Sequence, residues 1–179
     1  MSDSAKTSRF EDLIMPHLDA AYTLACWMTR NPEDARDVVQ EAYLRAFRFF
    51  DGYHGGSAKA WLLTIVRNTG YTWLRQNRAH EMESVFEDEA LDVPEQTPGP
   101  EAHFLQSAHQ ELLRKAMDAM PLEFREIVIL RDLQGFSYKE IVEMTGLPIG
   151  TVMSRLSRAR NRLQKNVAER AGKDLEREL

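Results

Sequence analysis

FSYKEIVEMTGLPIGTVMSRLSRARNRL, residues 136–163, is the stretch that decides the fold. Ser137 stands three residues before Glu140, so hydroxyl and carboxylate can each accept from the other's backbone N–H in a capping box. A short helix then runs through Ile141 and Met144. Gly146-Leu147-Pro148 makes a tight turn, and a second helix starts near Ile149 and passes Leu163. In that helix Ile149, Val152, Leu156, Ala159 and Leu163 recur at i, i+3, i+7, i+10 and i+14, which is one buried stripe. Arg155, Arg158 and Arg162 share a flank beside it, with Thr151 and Ser154 near the start. Between Met144 and Ala168 there are five bases and no acid. Capped helix, glycine turn and basic helix in this order form a helix-turn-helix. Its second helix suits the major groove of DNA, where arginine grips guanine edges or phosphates.

Upstream of this motif the chain stays helical. Ala102 to Met120 reads as a helix stopped by Pro121, and Leu122 to Leu133 as a short helix ended by Gln134-Gly135. In the N-terminal half, Asn31-Pro32-Glu33-Asp34 has the form of a helix start: an N-cap, proline at the first helical position, then acids at the positive end of the dipole. Ala35, Val38, Val39, Ala42, Ala46, Phe49 and Phe50 follow at core spacing, with Asp37, Glu41, Arg45 and Arg48 on the other side. A glycine-rich loop, Asp51 to Gly56, breaks the pattern. Another helix begins near Ser57 and turns Trp61, Ile65 and Thr69 inward. It carries a second stripe, Thr64, Arg67, Tyr71, Arg75 and Arg78, with Asn68 beside it and Lys59 at the start. Arginines interleaved with an aromatic ring suit single-stranded nucleic acid, whose bases stack and whose phosphates need neutralising. The loop with Tyr53 and His54 could close over an unstacked base. No useful run alternates with period two, so the expected class is all-α.

Charge divides the chain. The formal net charge is −5 over 179 residues. Residues 1–80 carry nine acids and ten bases, and residues 102–179 carry eleven acids and thirteen bases. Residues 81–101, EMESVFEDEALDVPEQTPGPE, carry eight acids, no base and three of the seven prolines. That stretch cannot bury a core and reads as a flexible acidic linker between two small helical domains, 1–80 and 102–179. It is either a solvated spacer or a mobile acidic strand that mimics nucleic acid or occupies a basic channel.

Other classes fall away. No stretch approaches the ~20 apolar residues of a membrane span. The first ten residues have no apolar leader segment, so a cytoplasmic protein is expected. Cys26 is the only cysteine, which rules out an internal disulfide. His17, His54, His80, His103 and His109 are scattered without metal-ligand spacing. No catalytic constellation and no phosphate-cradling glycine motif is present, so neither enzyme activity nor a metal or cofactor is expected.

Four stretches in order carry a resemblance: NPEDARDVVQEAYLRAFRFF (31–50), AWLLTIVRNTGYTWLRQNR (60–78), MPLEFREIVILRDLQGFSYKEIVEMTG (120–146) and LPIGTVMSRLSRARNRL (147–163). Together they resemble a bacterial sigma factor of the extracytoplasmic-function (ECF) group, the minimal sigma-70 architecture. The resemblance implies sigma region 2 in the first half and sigma region 4 in the second. It implies that Asp37, Gln40, Glu41 and Arg45 dock on core RNA polymerase. It assigns Tyr53, His54, Lys59, Trp61, Arg67, Asn68, Tyr71, Arg75 and Arg78 to melting and holding the −10 element. Thr151, Ser154, Arg155, Arg158 and Arg162 would read the −35 element. The implied partners are core polymerase, promoter DNA (duplex at −35, single-stranded at −10) and an anti-sigma factor, with no insertion into a membrane. The competing readings are a stand-alone helix-turn-helix regulator and a mimic that titrates an anti-sigma factor.

Overall fold

A computed structural model describes residues 3–77 and 106–177, and every regular element among them is helical. The acidic stretch 81–101 and Arg78 lie outside the described residues, as do His80 and His103.

Four helices build the N-terminal half: α1 (Asp3–Ile14), α2 (Leu18–Thr29), α3 (Pro32–Phe49) and α4 (Ala58–Asn77). Asn31 is extended, and its Oδ1 accepts from the backbone N–H of Glu33 at 2.9 Å and of Asp34 at 3.1 Å. Helix α3 therefore starts where the sequence predicts. Ala35, Val38, Val39, Ala42 and Ala46 are buried, and α2, α3 and α4 pack on one another around them. At the end of α3 the two phenylalanines part. Phe50 is buried, edge-on to Phe10 at 5.3 Å, whereas Phe49 is 60% exposed. Neighbouring helical residues point about 100° apart, so a narrow apolar stripe takes only one of them.

Helix α4 is capped by Ser57, whose hydroxyl accepts from the Ala60 N–H at 3.1 Å. Its buried face is Leu62, Leu63, Val66, Thr69, Gly70 and Leu74. Trp61 and Ile65, expected inward, are only half-buried, because the core stripe runs one position further round the helix. Gly70 lets α4 approach α2 closely: a Cβ there would sit 2.8 Å from Met28 Cε and 2.9 Å from its Sδ. The glycine costs helix stability of about 1 kcal/mol and makes room for the thioether.

The C-terminal half comprises α5 (Gln106–Asp118), α6 (Leu122–Val128), α7 (Tyr138–Thr145) and α8 (Ile149–Arg177). Helix α6 continues into a π-helical turn, Ile129–Leu133, which closes with Gln134 N–H donating to Ile129 C=O at 2.8 Å. The capping box at Ser137 and Glu140 forms, both bonds at 3.1 Å. Gly146 ends α7 in the left-handed region, φ 72°. Glycine suits that turn because a Cβ disfavours positive φ. Val152, Leu156 and Ala159 bury the stripe of α8 against α6 and α7. Ile149, expected in that stripe, is 55% exposed at the first position of α8.

The two halves touch. Helix α6 packs on α2, and α7 on α4, so that one continuous set of buried side chains runs from Ile14 and Leu24 to Ile127 and Leu156.

Candidate nucleic-acid interface

The second helix of the helix-turn-helix is α8. With Val152, Leu156 and Ala159 turned inward, Ser154 and Arg158 are exposed, while Thr151 and Arg162 are half-buried at the edge of the same surface. Arg158 Nε leans on the Ser154 carbonyl at 3.4 Å. Arg155 differs from its neighbours. Its side chain is 18% exposed and lies 3.6 Å from the Glu123 carboxylate of α6. It braces the reader helix from the side, although its spacing places it on the same flank as Arg158. Arg160, which sequence spacing passed over, pairs with Asp132 in the π-helical turn. This second brace fixes the angle of α8 on α6. Charge-assisted pairs of this kind add geometric specificity more than stability when exposed.

The stripe of α4 has a different setting. Arg67, Asn68, Tyr71, Thr72 and Arg75 line a cleft of about 270 Å³. The Arg67 guanidinium lies over the Tyr71 ring, 4.7 Å from its centre. Both residues meet Glu126 of α6. Arg67 Nε donates to Glu126 Oε1, and the Tyr71 hydroxyl donates to Glu126 Oε2 at 2.6 Å. Glu126 is buried. Burial, then the Glu126 charge, pushes the Tyr71 phenol well above its ordinary value, which keeps it a donor. Lys59 Nζ donates to the Gln134 carbonyl at 3.0 Å and sits 5.2 Å from the centre of the Phe136 ring. Arg75 is exposed.

Next to Glu126, Arg125 is wholly buried. It donates to the carbonyls of Trp27 at 2.9 Å, Met28 at 3.3 Å and Met120 at 2.6 Å. Trp27 and Met28 lie in the last turn of α2, where carbonyls lack intrahelical partners and the dipole favours a cation. A guanidinium from one half thus caps a helix of the other.

In the loop, Tyr53 is buried, stacked on Phe50 at 5.9 Å and tilted on Trp61 at 5.3 Å, and its hydroxyl donates to the Gly56 carbonyl at 2.8 Å. It holds the loop's shape from within. His54 is exposed. Arg48, Phe49, Asp51, Gly52, Trp61 and Ile65 line a groove of about 500 Å³ beside it. The aromatic ring most open to a ligand there is Phe49, which periodicity had assigned to the core.

On α3, Asp37, Gln40 and Glu41 are exposed and Arg45 is half-buried, its Nε donating to Glu41 at 2.8 Å. Leu44 and Phe47 are exposed among them. Those two apolar side chains are the part of this face that a search for charged positions misses. They sit at helical spacing from Gln40 and outside the core stripe, which is the signal that could have found them.

Among the described residues no group of histidine, cysteine or carboxylate side chains is placed to hold a metal ion, and no helix is long and apolar enough to cross a membrane.

Residues 13–80 match the family model described as Sigma-70 region 2, and residues 110–163 that described as Sigma-70, region 4. The chain is 35% identical over 167 residues to the ECF RNA polymerase sigma factor SigE of Mycolicibacterium smegmatis, covering 93% of this chain and 65% of that relative. It is 35% identical over 158 residues to the ECF RNA polymerase sigma factor EcfG of Rhodopseudomonas palustris, covering 88% of this chain and 84% of the relative. Among solved structures it is similar to the sigma factor RpoE of Bartonella quintana, determined in complex with the anti-sigma factor NepR. That match has TM-score 0.69 and 32% identity, over 89% of this chain and 97% of the other.

Proposed function

The chain belongs to the ECF sigma factors of the sigma-70 family, and from that premise we propose that it joins core RNA polymerase, directs it to a set of promoters and helps to open them. Residues 1–80 engage the polymerase and the −10 element, residues 102–179 read the −35 element, and residues 81–101 tether them. The polymerase makes the bonds, so the chain acts as an initiation factor in the cytoplasm and needs neither catalytic residues nor a cofactor.

The observation that carries this reading is the pairing, in order, of region 2 and region 4 with a reader helix whose outward residues are Ser154 and Arg158, with Thr151 at their edge. In that role α8 lies in the −35 major groove, Arg158 and Arg162 supply phosphate or guanine contacts, and Arg155 holds the helix angle through Glu123. The α3 face, Asp37, Gln40, Glu41 and Arg45 with Leu44 and Phe47, docks on the polymerase. Strand separation costs a few kcal/mol per unstacked base. Arg67, Asn68, Tyr71 and Arg75 offset it by holding the extruded strand, and the groove beside Phe49 and Trp61 receives a base. The Bartonella quintana sigma factor is held by an anti-sigma factor, and this chain takes a partner of that kind.

Reconstituting the chain with core polymerase on a library of genomic fragments tests the proposal. Promoter-specific run-off transcripts that need both components are expected. Duplex binding without polymerase association would make the chain a stand-alone regulator. Loss of both activities would make it a decoy.

A further inference from the structure

We propose that helix α1 sets the base preference of the groove beside Phe49 and Trp61. Lys6 acts there as a positioning residue. It holds the Asp51 carboxylate, which selects a base bearing an exocyclic amine and rejects thymine. The inference rests on the reading of that groove as the receiver of a −10 base.

Lys6, Arg9 and Phe10 lie ahead of residues 13–80, so the match to region 2 gives them no role. Their contacts point to one. Lys6 Nζ donates to Asp51 Oδ2 at 2.9 Å and stands 5.1 Å from the centre of the Phe47 ring. The Lys6 side chain is 16% exposed and that of Asp51 is 67% exposed, so the lysine is largely covered while the carboxylate is open. The Arg9 guanidinium lies 5.6 Å from the centre of the Phe50 ring. Phe10 meets Phe47 and Phe50 edge-on, at 5.2 Å and 5.3 Å. Phe50 in turn stacks on Tyr53. Helix α1 therefore grips Asp51 itself, the residue before it, and through that ring the loop after it.

Among the described residues that line the groove, Asp51 brings the one carboxylate. An ionised carboxylate accepts hydrogen bonds and cannot donate them. Adenine, cytosine and guanine each offer an exocyclic amine to such an acceptor. Thymine offers only its ring N–H, flanked by two carbonyl oxygens that the carboxylate repels. The selection works only if the carboxylate is held in place. Left alone, an exposed aspartate would turn toward water, and its charge would repel the phosphates of the incoming strand. Lys6 answers both needs: it engages Oδ2, which orients Oδ1 for the base, and it supplies the neutralising charge.

A promoter recovered from the genomic library is rebuilt with its −10 region pre-opened and randomised on the non-template strand. Complexes of the chain with core polymerase are isolated on this pool, and the bound strands are sequenced. With the unaltered chain, one unpaired position should show thymine depleted about tenfold, the discrimination of one base-edge contact. Lys6→Met keeps the stem over Phe47 and removes the ammonium, and it should abolish most of that depletion. Lys6→Arg should restore it, which a role in packing alone would not require. Asp51→Asn presents an amide N–H that can donate to a thymine carbonyl, so thymine should become accepted at the same position. Asp51 is exposed, so this variant tests the groove even where a change in α1 disturbs folding. A base distribution unaltered in both Lys6→Met and Asp51→Asn would overturn the proposal. So would weaker binding by Lys6→Met with the original distribution retained, because Lys6 would then supply only charge or packing. No base preference at any unpaired position with the unaltered chain would instead remove the reading of the groove as a base receiver, and the inference with it.

Discussion

Helices α4 and α8 each carry a basic stripe at helical spacing, and from sequence the two look alike. The structure separates them. On α8 the ion pairs to Glu123 and Asp132 lie at the sides, and Ser154 and Arg158 stay open. On α4 the stripe itself is engaged, with Arg67 and Tyr71 turned onto Glu126. Periodicity thus identifies a charged face, but whether that face is free depends on what the rest of the chain brings to it.

The largest break in this comparison comes from Arg125. Replacing it with methionine leaves two carbonyls across the interface and that of Met120 beside it without their donor, and should lower the unfolding free energy by about 3 kcal/mol, read by urea denaturation. If the transition splits in two, the halves have become independent. Next, Arg67→Ala with Tyr71→Ala should leave duplex binding intact. The same pair should lower promoter opening by the holoenzyme about tenfold, seen as lost permanganate reactivity of unpaired thymines. Unaltered opening would mean that α4 meets only Glu126. On the other helix, Arg158→Ala should reduce the salt slope of duplex binding by about one unit. Arg155→Ala should move the slope less, because that guanidinium is already paired with Glu123. Equal slopes for the two variants would erase the distinction between reader and brace.

The smallest effect concerns His17, held below its ordinary value of 6.5 by burial and by the nearby Lys59 ammonium. The unfolded chain binds the proton more readily than the folded one, so stability is lost as pH falls through about 6.5. His17→Gln should flatten that part of the curve in melts at successive pH values.

What could be read from the sequence was local. The Asn31 cap, the Ser137–Glu140 box and the Gly146 turn each depend on residues within a few positions, and all three form. The sigma family was legible because four such stretches occur in order. Phe49 and Ile149 were misplaced because each ends a stripe, where one step of rotation decides between core and solvent. The contacts between the two halves were not legible at all. Arg67 and Glu126 are 59 residues apart, Tyr71 and Glu126 are 55 apart, and the acidic stretch 81–101 intervenes. In LEFREIV, Arg125 and Glu126 read as an ordinary charged helix surface, yet both are buried. Long-range pairing of two charges across a tether leaves no periodicity to detect.

Helix α8 runs unbroken for 29 residues, well past Thr151 to Arg162. At 1.5 Å per residue it is a rod of roughly 43 Å. Its reader residues sit at one end, and near its middle Asn166 Nδ2 is tied to the Ala116 carbonyl of α5 at 3.0 Å. Held at Arg155 and Arg160 on α6 and its π-helical turn, and at Asn166 on α5, the rod is set at one angle to both helices.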